Sequence, residues 1–376
     1  MNREAGIGIF DIGASILPAN AKKVLIIYDI TSIPWLLQGN LDQMPTLNFH
    51  SMYWESATMV SLFNKNGIIV DYADYANLPP LDWEKYDYII DLGLIMHKIP
   101  DIKGQKKIYY CTGQYWLLNN SGELNRISDF YYRTGIYIQP ERQAPPIFAD
   151  EYADFMTYFG NIEMLKGYVA TCPKVLLNIS ALPAKNEIKK DFDSVRSHFL
   201  WIGGGGAIHK GLDLVVEAFA KMPHLTLHIV GNQSAEIRFM NWLSTILQHH
   251  SNIIHHGWLN INSNEFCNIA NMCIGIVYAS VAEGGPGSVA QAIHYGLIPI
   301  VTKTSSVRSA HLGYEITTEN TSEIINKLID YVQTVHNLPE SELRAMVENI
   351  ISFAKRYHTR EAYAESFMDV IHKLII

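Results

Sequence analysis

Short apolar runs alternate with amphipathic helical patterns along this chain. The amino-terminal half opens with a predicted strand at 24–28, a helix at 52–64 and another strand at 68–71. Short buried strands joined by helices are typical of a parallel sheet that is covered on both faces. The alternation therefore predicts an α/β fold, and it continues with strands at 88–91 and 107–111.

The same pattern starts again after a polar stretch at 184–196. A strand at 199–202, a glycine turn and a helix at 212–221 open this second series. A chain of 376 residues exceeds what one hydrophobic core usually supports, which favours two domains. The second series continues with strands at 225–230, 253–256, 273–277 and 297–301, and with helices at 339–356 and 360–376.

We therefore predict two Rossmann-like, doubly wound parallel-sheet domains that face each other across a cleft. The first domain is expected at 1–185 and the second at 186–358, and a last helix at 359–376 is expected to pack back on the first domain. Sheets of this kind bind ligands at the carboxyl ends of their strands. The glycine turns of the second domain follow strands and are predicted to lie at those ends.

Charge and cysteine content argue against several classes of function. A formal net charge of −8 argues against a nucleic-acid partner. The four cysteines show no CxxC spacing, which predicts reduced thiols in a cytoplasmic protein and no zinc site. Because no apolar run approaches the ~18 residues of a membrane span, we expect at most a peripheral contact with the inner face of a membrane, for which the apolar ending at 374–376 is suited.

Residues 278–301 combine a strand, a glycine-rich turn that carries one acid, a helix and another strand. The glycines of the turn let backbone N–H groups approach an anion closely, and a helix that begins near Ser288 points its positive end at the same place. A second glycine turn at 203–206 is followed by Lys210, and it fits neither the dinucleotide-binding G-x-G-x-x-G pattern nor the Walker A pattern. The two turns predict an anion site of another kind.

Read in order, these elements resemble the carboxyl-terminal domain of retaining GT-B glycosyltransferases of family 4, the group 1 type. The resemblance implies a GT-B fold and transfer of a hexose-type sugar from a UDP or GDP sugar to a hydroxyl of a glycan or lipid-linked acceptor. It also implies a role in surface polysaccharide or glycan biosynthesis, with no metal and no other cofactor. The residues that carry it are Lys210, Gly211, Ser280, Glu283, Gly284, Pro286, Gly296 and Pro299.

The family's site residues can be carried over position by position. Lys210 is implied to contact the donor diphosphate, and Glu283, the first acid of the family's E-x7-E element, to bind hydroxyls of the donor sugar. These two are the candidate catalytic residues. Other residues implied to bind the donor are Gly204, Gly205, Gly231, Asn232, Trp258, Ser280, Gly284, Gly285, Pro286, Gly287, Ser288 and Gln291; Trp258 is otherwise a core or interface aromatic.

Two positions depart from the family pattern. The second acid of E-x7-E is Gln291, which can hydrogen-bond a ribose without charge or, with Ser288, form a capping box at the helix start. Gly205 stands where the family places an arginine, so one of two expected diphosphate cations is missing. Arg308 is either a replacement for it or an ordinary surface arginine.

In the first domain, His50, Glu55 and Gln114 are expected to line the acceptor side, although His50 can equally be a structural histidine. The residues Asp191 and Asp193 are interpreted as solvated linker acids rather than as a metal-binding pair. Two alternatives remain open at this point: a nucleotide-sugar epimerase with the same fold, and a sugar-binding protein that has lost turnover.

Overall fold

The computed structural model describes residues 6–186 and 188–375. Residue 376, which the sequence assigns to the last helix, lies outside them. The described residues form two sheets, one in each half of the chain, with helices between many of their strands. The predicted α/β class with two parallel-sheet domains is confirmed.

The first sheet has seven strands among the described residues. Its order is β1-β3-β2-β4-β5-β6-β7, and all neighbours are parallel except β1 and β3. The antiparallel edge strand β1 and the short strands β6 and β7 were not predicted. The elements are β1 (Gly8–Ile12), β2 (Lys23–Tyr28), α1 (Ile33–Leu37), α2 (Ser51–Lys65), β3 (Ile69–Asp74), β4 (Tyr88–Asp91), β5 (Lys106–Tyr110), α3 (Trp116–Thr134), β6 (Phe155–Tyr158) and β7 (Lys174–Leu176).

The second sheet has six parallel strands among the described residues, in the order β10-β9-β8-β11-β12-β13. The strand order reverses between β8 and β11, which pair directly with each other. Its elements are α4 (Phe192–Val195), β8 (His198–Ile202), α5 (Leu212–Ala220), β9 (Thr226–Val230), α6 (Ile237–His249), β10 (Ile253–His255), α7 (Asn264–Met272), β11 (Gly275–Tyr278), α8 (Gly287–Ile293), β12 (Ile298–Thr302), β13 (Tyr314–Ile316), α9 (Thr321–Asn337) and α10 (Glu340–Tyr357).

The last helix, α11 (Arg360–Ile375), packs on the first domain rather than on the second. Its Tyr363 and Phe367 are fully buried in one cluster with Phe63 of α2 and Tyr110 of β5. The linker after β7 also contacts this helix, since the side chain of Asn178 donates to the carbonyl of Ala362. The chain therefore crosses between the domains twice, once at 177–191 and once between α10 and α11.

Three side-chain contacts of α3 hold the two domains together. Arg126, buried in α3, donates to the carbonyl of Ala279. Arg133 forms ion pairs with Asp213 and Glu217 of α5. Because α5 follows the glycine turn at 203–206, these contacts bring that turn against the first domain. None of the helices among the described residues is long and apolar enough to cross a membrane.

Candidate active site

The reversal of strand order in the second sheet positions the site. In an open α/β sheet, a crevice forms where neighbouring strands send their connections to opposite faces. Here β8 ends at Ile202 and β11 ends at Tyr278, so the turn at 203–206 and the loop that carries Glu283 start side by side. Two segments that are far apart in sequence thus meet at one point.

Lys210 and Glu283 form an ion pair at this point. The Lys210 Nζ lies 2.7 Å from Glu283 Oε1, and both side chains are nearly buried. The Tyr278 hydroxyl donates to the same Oε1 at 2.8 Å, and the Ser280 hydroxyl lies 3.3 Å from it. Within the described part of the chain, Glu283 Oε2 has no hydrogen-bond partner. The carboxylate is held firmly by one oxygen while the other stays available.

The electrostatics of the pair favour an ionised carboxylate. Burial alone would raise the pKa of Glu283, but the charges of Lys210, His209 and Arg142, with the hydrogen bond from Lys210, lower it to about 2. Burial lowers the pKa of the neighbouring His209, whose Nε2 lies 2.7 Å from the carbonyl oxygen of Ala282. At neutral pH the site therefore contains a carboxylate beside an ammonium group.

The glycine turn is held by two side chains that no sequence motif indicated. Gln233 donates to the carbonyls of Gly203 and Gly204. Glu236 accepts from the backbone N–H groups of Gly206 at 2.8 Å and Ala207 at 3.0 Å. The carboxylate of Glu236 thus takes up two N–H groups that a glycine turn could otherwise offer to a phosphate. Both side chains are buried.

The loop that carries Glu283 touches the first domain through its glycines. A Cβ on Gly284 would lie 2.2 Å from the carbonyl oxygen of Thr112, and one on Gly285 would lie 2.7 Å from the backbone nitrogen of Gly160. Gly285 also has a φ of +94°, which favours glycine. These two glycines allow the two domains to meet backbone to backbone, a role the sequence did not indicate.

The helix after this loop begins one residue earlier than predicted. Pro286 occupies the N-cap of α8, and no side chain caps the helix. Gly287 is the first residue of α8, and a Cβ built on it would meet nothing within 4 Å. The prediction that Ser288 and Gln291 form a capping box is therefore wrong, because both residues lie inside the helix. The Ser288 side chain instead lies near the Tyr278 hydroxyl.

Gln291 pairs with the interdomain linker. Its Oε1 accepts from the backbone N–H of Leu182 at 3.0 Å, and its Nε2 donates to the carbonyl of the same residue at 2.9 Å. The side chain is 4% exposed. A contact between Gln291 and a ribose would require both bonds to break, so the structure gives this residue a different, structural use.

The remaining donor-side positions lie around the ends of β8, β9 and β10. Gly204 and Gly205 are exposed, and a Cβ on Gly205 would meet nothing nearer than Glu236 Oε1 at 3.8 Å. Gly231 approaches Gly203 closely, while the side chain of Asn232 forms a local turn with Ser234. Trp258 is 53% exposed, not a core residue, and its ring meets Phe49 of the first domain at 5.1 Å.

The three residues that were predicted to line the acceptor side lie in different environments. His50 is exposed, caps α2 by accepting from the backbone N–H of Met52, and lies within the electrostatic reach of Asp29, Arg142 and Lys210. Glu55 is 4% exposed and bonds Ser180 and Tyr110, so the expectation that it lines the cleft is wrong. Gln114 is 9% exposed and its amide bonds the carbonyl of Glu163, so it too turns into the first domain.

Neither Arg308 nor the linker acids lie at the site. The guanidinium of Arg308 bonds Asn178 and covers the ring of Tyr357, so it does not replace the missing arginine near Lys210. Asp193 is exposed and pairs with Arg196. Among the described residues, no group of three His, Cys, Asp or Glu side chains is arranged to hold a metal ion.

Comparison with known proteins supports a glycosyltransferase architecture. Residues 196–334 match the family described as Glycosyl transferases group 1. The fold resembles sucrose-phosphate synthase from Thermosynechococcus elongatus, with 12% identity, coverage of 94% of this chain and 99% of that one, and a TM-score of 0.63. It also resembles WaaG, a glycosyltransferase involved in lipopolysaccharide biosynthesis, with 13% identity, coverage of 93% and 99%, and a TM-score of 0.54.

A third similar structure is the pneumococcal O-GlcNAc transferase GtfA in complex with UDP and GlcNAc, at 15% identity and a TM-score of 0.50. The match covers 77% of this chain but only 57% of that protein. Comparison with curated protein sequences finds no match. Residues 196–334 are thus similar to group 1 glycosyltransferase domains, and the chain as a whole has the GT-B fold.

Proposed function

We propose that this chain transfers a hexose-type sugar from a nucleoside diphosphate sugar to a hydroxyl of an acceptor, with retention of the anomeric configuration. The observation that carries the proposal is the Lys210–Glu283 ion pair where β8 and β11 end. A cation beside a carboxylate matches such a donor, because its diphosphate is anionic and its sugar carries hydroxyl donors.

In this proposal Lys210 stabilises the charge that develops on the departing diphosphate. An ammonium group has three N–H donors, and the Lys210 Nζ directs one to Glu283 and one to the Tyr278 hydroxyl. The third donor remains for a phosphate oxygen. A positive group fixed in advance where negative charge forms is an effective way to lower a reaction barrier.

Glu283 orients the donor sugar. Its carboxylate is ionised at neutral pH, and its Oε2 can accept hydrogen bonds from sugar hydroxyls while Oε1 stays with Lys210 and Tyr278. The acceptor hydroxyl attacks the anomeric carbon from the side that the diphosphate leaves, the bond between that carbon and the diphosphate breaks, and the hydroxyl proton passes to the departing diphosphate oxygen. Contact between the domains at Gly284 and Thr112 excludes water, which would otherwise hydrolyse the donor.

The family match favours a UDP or GDP sugar as donor and a glycan or lipid-linked acceptor in surface polysaccharide or glycan biosynthesis. The structure of GtfA with UDP and GlcNAc, and the assignment of WaaG to lipopolysaccharide biosynthesis, support this choice. The reaction is proposed to take place in the cytoplasm, at most beside a membrane, with Lys210 in place of a metal ion.

A thermal-shift panel of UDP, GDP and ADP sugars tests the proposal first. A ligand that binds only the folded chain raises the free energy of unfolding by about 2.7 kcal/mol at 100 times its Kd. The matching donor is then used to measure nucleoside diphosphate release with candidate acceptors, and NMR gives the anomeric configuration of the product. If no sugar nucleotide shifts the melting temperature, the proposal fails; an inverted product refutes retention alone.

Variants of the ion pair test the assigned roles. Lys210→Ala is expected to lower turnover about 100-fold or more, and Glu283→Gln to lower it while leaving the side-chain shape unchanged. Lys221→Ala, at the exposed end of α5, is the matched control for loss of a lysine and keeps full turnover. Epimerised donor without an acceptor would favour an epimerase, and donor binding without any turnover would favour a sugar-binding protein.

A further inference from the structure

We propose that Arg142, supplied by the first domain, is the second cation for the donor diphosphate and takes the place of the arginine that is missing at Gly205. This inference rests on the proposed function, since it assigns a residue to the phosphate part of the same site. No sequence motif indicates this role, because Arg142 lies in a loop of the other domain.

A buried carboxylate fixes the loop that carries Arg142. Glu123 of α3 is 1% exposed, and its oxygens accept from the backbone N–H groups of Glu141 at 3.0 Å and Arg142 at 2.9 Å. It also accepts from the side chain of Gln143 at 2.6 Å, and Asn119 donates to the carbonyl of Arg142 at 2.6 Å. The main chain at Arg142 is thus held from both sides, although its side chain is exposed.

This anchoring places the Arg142 side chain against the glycine turn of the second domain. A Cβ built on Gly206 would lie 2.5 Å from Cγ and 3.0 Å from Cδ of Arg142. Gly206 is the residue immediately after Gly205, the position at which the resemblance expects an arginine. The guanidinium therefore enters the site beside the position where the family's own arginine would start.

The Arg142 guanidinium is uncommitted and directed at the site. Within residues 6–186 and 188–375, no hydrogen bond or ion pair engages it. Its positive charge reaches Glu283, Tyr278 and His50, on both sides of the cleft. A guanidinium presents a planar fork of N–H donors that matches two phosphate oxygens.

The charges already present make a second cation necessary. Lys210 is paired with Glu283, so part of its charge is neutralised before a donor arrives. Glu236 adds a carboxylate beside the glycine turn and occupies the backbone N–H groups of Gly206 and Ala207. A diphosphate that approached Lys210 alone would meet two carboxylates and a single paired cation. Arg142 supplies the missing positive charge.

Isothermal titration of the full chain with UDP and GDP, and with uridine and guanosine as phosphate-free partners, tests the assignment. Arg142→Ala is expected to weaken binding of the nucleoside diphosphates at least about tenfold, because one charge-assisted hydrogen bond is lost. Binding of the nucleosides should weaken less than twofold. Arg142→Lys should lie between, because it keeps the charge but loses the fork. Because Arg142 is exposed, its removal should shift Tm by no more than about 2 °C.

Two variants separate this inference from the proposed function. Arg344→Ala removes an exposed arginine from α10, whose side chain pairs with Glu340 and lies over the ring of Phe192, and is expected to bind UDP and GDP like the wild type. If Lys210→Ala weakens binding of the nucleoside diphosphates and Arg142→Ala does not, the Arg142 assignment is overturned while the proposed function stands. Equal weakening of nucleoside and diphosphate by Arg142→Ala also overturns it. If the wild type binds no nucleotide, the proposed function itself fails.

Discussion

Replacing His228 with glutamine should make this protein more resistant to acid. His228 lies on β9 between two other histidines of neighbouring strands. Its Nε2 is 3.0 Å from Nδ1 of His198, and its Nδ1 is 3.0 Å from Nε2 of His256. The rings stack at 5.3 Å on each side, and His228 is 2% exposed. A proton added to His228 must therefore be accommodated without water.

The size of the effect follows from the pKa of His228. Burial, and the charges that His198 and His256 would carry, lower it from 6.5 to about 4. Above pH 6.5 the ring is neutral in both the folded and the unfolded chain. Between pH 6.5 and about 4 only the unfolded chain binds the proton, so the free energy of unfolding decreases as the pH is lowered. At about 1.4 kcal/mol per pKa unit, the loss approaches about 3 kcal/mol.

Urea unfolding of the wild type and of His228→Gln, from pH 7 to pH 4, measures this loss. The free energy of unfolding of the wild type should fall more steeply, by about 3 kcal/mol over the whole window. His249→Gln, at the exposed end of α6, is the control and should follow the wild type. Parallel curves for wild type and His228→Gln would show that the histidine row does not resist protonation.

Two further predictions concern the loop and the helix after Glu283. Gln291→Glu restores the family's acid but places a carboxylate against the carbonyl of Leu182. The variant should therefore lower the free energy of unfolding by about 1–3 kcal/mol without raising turnover. A faster enzyme would contradict the structural use of Gln291. Gly284→Ala should lower turnover and Tm because its Cβ collides with Thr112, whereas Gly287→Ala, which has open space, should leave Tm unchanged. Equal behaviour of the two alanine variants would mean that the backbone contact is unimportant.

The parts of this fold that the sequence predicted are those with strong local signals. The central strands of both sheets are continuous apolar runs, and burial on both faces explains them. Lys210 and Glu283 each follow such a strand, and the family resemblance implied their roles. In contrast, β6, β7 and β13 are only three or four residues long and carry no clear pattern.

The site residues that the sequence patterns did not indicate contact segments that are far away along the chain. Glu236 lies 30 residues from the Gly206 N–H group that it binds, and Arg142 reaches the site from another domain. Neither contact has a periodicity or a spacing that a sequence could display. Gln291 illustrates a different difficulty, because an amide suits a ribose, a helix cap and a backbone pairing equally well, and only its place beside Leu182 decides.

The position of α11 has a consequence for how this chain folds during synthesis. Tyr363 and Phe367 complete the core that contains Phe63 and Tyr110, yet they are translated after every strand and helix of the second domain. Of these two domains, the one that is translated earlier is therefore the one that is completed later. The second domain, whose strands and helices end before α11, can complete its own core while the earlier half still waits for its final helix.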